Sequence, residues 1–133
     1  MPAIKKKSAE NIKAARLLIK EELLASSVHC AYYSCLQLSK YFLNNYCGIN
    51  YTQQYTESRG MGSHNYLIDS TSTQLIKDKR YLADIDYRKE IFRLRKLRTK
   101  SDYSEDPVTA KDAQDAYEAA ERTIRILNTI INK

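Results

Sequence analysis

The stretch TAKDAQDAYEAAERTIRILNTII, residues 109–131, decides the fold class. Ala113, Tyr117, Ala120, Ile124, Leu127 and Ile131 recur at 4-3-4-3-4 spacing, which is the period of one helix face. Thr109 stands where an N-cap belongs, and Asp112 follows three residues later, a capping-box-like pair. Upstream the chain offers little to stop a helix. Its three glycines are Gly48, Gly60 and Gly62, and its two prolines are Pro2 and Pro107. Nothing breaks a helix between residues 3 and 47 or between 63 and 106. The expectation is an all-α, up-and-down bundle of about five helices in one domain, residues 1–133, with its core at about 8–131.

The remaining elements follow from the same periodicity. A first helix is expected from about Ser8, as cap, to Leu24, with Ile12, Ala15, Ile19 and Leu23 on one face. Ala25-Ser26-Ser27 reads as a turn, with a serine capping a second helix that runs to about Tyr46. Val28, Ala31, Tyr32, Cys35, Leu38, Ser39, Phe42 and Tyr46 line its broad apolar face, so it is central to the bundle or faces a second subunit. Residues 47–62 read as a polar connection, long for a compact domain. A weaker helix is expected at about 63–78, and another at about Asp84–Ser101 with Tyr87, Ile91, Leu94 and Arg98 on one face.

A chain of 133 residues buries roughly two-thirds of its unfolded surface, so it needs neither metal nor disulfide to fold. Cys30, Cys35 and Cys47 are odd in number and lack C-x-x-C spacing, so they read as small core residues. No signal peptide follows Lys5-Lys6-Lys7, and no apolar run reaches membrane-spanning length, so a cytoplasmic protein that does not enter a membrane is expected. No metal site and no cofactor are expected, because glycine-rich phosphate loops and ligand arrays are missing. His29 and His64 read as packing or capping residues.

The charge of +6 is uneven. Residues 77–100 carry ten Lys or Arg and four Asp or Glu, whereas residues 101–133 carry four and seven. Such polarity fits an anionic partner, self-association of opposite faces, or a solvated helix face. Lys89, Arg93, Lys96 and Lys100 form a stripe at 4-3-4 spacing, and Arg93, Lys96 and Lys100 are the candidate nucleic-acid contacts. Arg98 lies on the apolar face instead. Two roles stay open for it: an internal pair with Asp102, or a phosphate contact through its planar fork of donors. Tyr103 adds a hydroxyl suited to a phosphate or a 2′-OH, though it is a poor general base.

Three segments resemble one known family. Ala31-Tyr32-Tyr33-Ser34 is similar to the A-Y-Y-A/S core of HEPN domains. Arg98-Thr-Lys-Ser-Asp-Tyr103 resembles the R-x-x-A-D-Y signature of one HEPN branch, and residues 109–131 look like that branch's final helix. The resemblance covers about residues 8–131. It implies a small helical homodimer of a prokaryotic toxin–antitoxin or defence system, often paired with a minimal nucleotidyltransferase antitoxin. It also implies an RNA-directed, metal-independent endoribonuclease site of form R-x4-6-H, shared between two subunits. By that correspondence Arg98 matches the motif arginine, Asp102 and Tyr103 complete the candidate catalytic set, and Tyr103 stands where a histidine is expected. No histidine follows Arg98. The alternative is a non-catalytic HEPN module that binds a partner protein or a nucleotide.

Overall fold

The computed structural model describes residues 2–132, and among them the only regular elements are six helices. These are α1 (Ala3–Lys20), α2 (Leu24–Tyr46), α3 (Tyr51–Glu57), α4 (Ser63–Lys77), α5 (Tyr81–Tyr103) and α6 (Ala110–Ile131). The expected all-α bundle is present, with one helix more than periodicity indicated. The addition is α3, inside the 47–62 connection. Asn50 caps it by accepting a hydrogen bond from the Gln53 amide. None of the described helices is long and apolar enough to cross a membrane.

The first two boundaries differ from expectation for one reason. Ser8 is not a cap but a buried residue inside α1, where its Oγ donates to the Ser34 carbonyl at 2.7 Å. Ser34 Oγ returns the bond to the Ser8 carbonyl at 2.8 Å, and Ser27 Oγ donates to the Ala15 carbonyl at 2.7 Å. The small serines thus tie α1 to α2 across a closely packed seam. The turn falls earlier, at Glu22, which adopts a left-handed φ of 59°. The Leu23 amide reaches back to the Leu18 carbonyl and the Glu22 amide to that of Ile19, closing a Schellman motif without glycine. Lys79, with φ 58°, ends α4 in the same way.

Helix α2 is the centre of the bundle and packs against α1, α4, α5 and α6. Its Val28, Ala31, Tyr32, Cys35 and Leu43 are fully enclosed. Tyr87, Ile91 and Leu94 of α5 meet them, as do Ala113, Ala116, Ala120 and Leu127 of α6. The alanines let the α2 and α6 backbones approach, and the Cys35 thiol donates to the Ala120 carbonyl at 3.6 Å. Each large side chain buried in this way contributes roughly 1.5–3 kcal/mol. Inside the core, Ser39 and Tyr87 share a hydroxyl bond of 2.8 Å between α2 and α5. The capping box expected at Thr109 and Asp112 is formed.

Candidate functional site

Three helix ends converge on Arg98. It projects from the core face of α5 one turn beyond Leu94, where the apolar core gives out. Its guanidinium lies 5.4 Å from the ring centre of Tyr32, on α2, and 5.2 Å from that of Tyr103. Each such contact stabilises a cation by about 0.5–2 kcal/mol, more as water is excluded. Arg98 Nε lies 2.9 Å from Asp102 Oδ2, as expected for residues four apart on a helix. The Nε–H does not point at the carboxylate, so this is a charge contact rather than a hydrogen bond. Nη2 reaches the Tyr103 hydroxyl at 3.4 Å. Desolvation opposes the charge on Arg98, but Tyr103, Tyr33, Asp102 and Tyr32 outweigh it and hold the group cationic.

Both histidines of the chain arrive at this same place. His29, in the first turns of α2, brings Nδ1 to 3.2 Å from Asp102 Oδ2, so one carboxylate oxygen serves both His29 and Arg98. The His29 side chain is 48% exposed, and its ring packs 4.5 Å from that of Tyr33. His64, at the start of α4, has Nδ1 3.3 Å from the Tyr32 hydroxyl and Nε2 3.4 Å from the Tyr33 hydroxyl. Burial lowers the pKa of His64, and the nearby cations Arg98 and Arg95, with His29, lower it further. Burial raises that of Tyr32, which remains a phenol. Ser101 Oγ donates to the Ala25 carbonyl and pins the end of α5 to the start of α2.

The three residues Arg98, Asp102 and Tyr103 are thus brought together, with Tyr103 72% exposed beside them. The basic stripe is not. Lys96 is two residues from Arg98, which places it about 160° away around α5. Arg93 pairs with Asp115 at 3.4 Å, and Lys100 pairs with Asp112 at 2.8 Å, both on α6. Two carboxylates of the acidic end, Asp112 and Asp115, thus meet the basic segment within one molecule. The cation that does flank Arg98 is Arg95, whose charge acts on both Tyr32 and His64. Arg95 and Lys96 are in no ion pair among the described residues.

Sequence spacing does not place Tyr32, Tyr33, His29, His64 and Arg95 at the site. The usable signal was the position of both histidines at helix starts, beside the tyrosine pair of α2. The cysteines lie elsewhere as inert thiols: burial pushes Cys30 and Cys35 up, and burial with Asp78 pushes Cys47 up to about 11. No group of three or more His, Cys, Asp or Glu side chains suited to a metal ion occurs among the described residues. A separate groove of about 610 Å³ runs between α1 and α6, lined by residues that include Arg16, Tyr117, Arg125 and Asn128. No protein-family model, curated protein or solved structure matches this chain.

Proposed function

We propose that this chain is a HEPN-like helical protein that binds and cleaves RNA at the Arg98 face, within a prokaryotic toxin–antitoxin or defence system. The observation that carries the reading is the setting of Arg98. A half-buried guanidinium sits where α2, α4 and α5 meet, backed by aromatic rings and bordered by two imidazoles. Its planar donors suit a phosphodiester, and the exposed ring of Tyr103 suits an unstacked base. The two motifs that carry the family resemblance also touch, because Tyr32 of the first lies under Arg98 of the second. The biological setting and the homodimer rest on that resemblance. So does an antitoxin partner of nucleotidyltransferase type.

A second reading is favoured by the Arg98–Asp102 contact. There Arg98 is a structural arginine in a non-catalytic module that binds a partner protein or a nucleotide. Fluorescence anisotropy with a labelled single-stranded RNA, run beside thermal melting, separates the two. RNA recognition requires Arg98→Ala to weaken binding by about tenfold or more, the loss of one charge-assisted phosphate contact. Unchanged affinity with a lower melting temperature establishes the structural role instead.

A further inference from the structure

His29 and His64 are the only imidazoles in the chain, and they come from different helices to the same arginine. Neither is placed as an ordinary packing residue. His29 is half exposed, yet one ring nitrogen is fixed on a carboxylate. With Nδ1 donating to Asp102, Nε2 is left without a protein partner among the described residues. His64 stands between two tyrosine hydroxyls at long distances, contacts that give way readily to a better-placed group. Resting on the RNA reading above, we propose that His64 and His29 are the base and acid of a phosphodiester-cleaving site that is complete within one protomer.

The step balances without any further reactant. The 2′-hydroxyl oxygen of RNA forms a bond to the adjacent phosphorus as its proton passes to the His64 imidazole. The bond from phosphorus to the 5′-oxygen breaks, and that oxygen takes the proton carried by His29. Arg98 holds the non-bridging oxygens, where negative charge collects. The products are a 2′,3′-cyclic phosphate and a 5′-hydroxyl. Proton exchange with water then restores both imidazoles. Asp102 is a positioning residue, since it orients His29 and touches Arg98. The groups facing His64 are Tyr32, Tyr33 and His29 from α2, with Arg95 and Arg98 from α5. The nearby cations and burial favour its neutral form, which a base requires. The arrangement differs from what the resemblance implies, where the histidine follows the arginine in sequence and two subunits share the site.

The test uses the full chain, a labelled single-stranded RNA and a chelator, with fold checked by circular dichroism. Cleavage is expected to leave 2′,3′-cyclic phosphate and 5′-hydroxyl ends. His64→Gln and His29→Gln are each expected to slow it about 100-fold or more while RNA affinity stays within about twofold. If His64→Gln does not fold, the exposed His29→Gln variant carries the measurement, and a wild-type rate there overturns the pair. An equimolar mixture of His64→Gln and His29→Gln is expected to be as slow as either alone. Recovery toward about a quarter of the wild-type rate means that subunits share the site, which overturns its completeness in one protomer. Wild type that binds RNA without cutting it, or both variants cutting at full rate, overturns the histidine pair and leaves RNA recognition standing. No RNA binding at all overturns both.

Discussion

The salt dependence of RNA binding tests which cations meet phosphate. Arg98 and Arg95 face the site, Arg93 and Lys100 are engaged by α6, and Lys96 points away. For a single strand, the logarithm of affinity falls with the logarithm of salt at about −0.7 per phosphate neutralised. Two phosphate contacts give a slope of about −1.4, hence about a sevenfold loss between 50 and 200 mM salt. Were the stripe of Arg93, Lys96 and Lys100 also in contact, five contacts would give about −3.5 and roughly a 130-fold loss. Anisotropy titrations of a labelled RNA at four salt concentrations resolve the two. Arg95→Ala is expected to reduce the slope by about 0.7, and Lys96→Ala to leave it unchanged. A slope near −3.5, or one that responds to Lys96→Ala and not to Arg95→Ala, refutes the assignment of the binding face.

Further outcomes concern the scaffold. Tyr87→Phe and Ser39→Ala are each expected to cost about 1–2 kcal/mol in urea unfolding, because each strands a buried hydroxyl. The double variant should cost clearly less than their sum, and strict additivity would refute the pairing. Thr109→Ala removes one half of the capping box and is expected to cost about 1 kcal/mol in the same assay. The folded-state pKa of His64 is lowered, so the unfolded chain takes up its proton first as pH falls. Stability should therefore decline as pH drops below the ordinary histidine range, and His64→Gln should flatten that decline in melting curves taken from pH 7.5 to 5.

Helix α6 was legible because its cap, period and length agree on one answer. Helix α3 was not, since seven polar-rich residues carry no apolar period and only Asn50 marks their start. Ser8 and Ser27 misled the boundaries because a serine hydroxyl satisfies a carbonyl in a neighbouring helix as well as it caps its own. The turn at Glu22 lacks the glycine that usually announces a left-handed residue. At the site, the helical phase of Arg98 and its spacing to Asp102 were readable, because both lie on one helix. The grouping of His29, Tyr32, Tyr33 and His64 was not, because packing between helices decides it. The charge asymmetry was visible, but its use in Arg93–Asp115 and Lys100–Asp112 pairs depends on α5 lying beside α6.

The serine seam between α1 and α2 has a mechanical consequence. Reciprocal bonds between Ser8 and Ser34, with a third from Ser27 to Ala15, mesh the two helices like teeth on a rack. Sliding by even one residue would unmesh every tooth at once and leave the serine hydroxyls unmatched in a dry interface. Helix α2 is thereby held against lengthwise creep. As α2 carries His29, Tyr32 and Tyr33, the seam on its far side acts as a datum from which the distances to Arg98 and His64 are set.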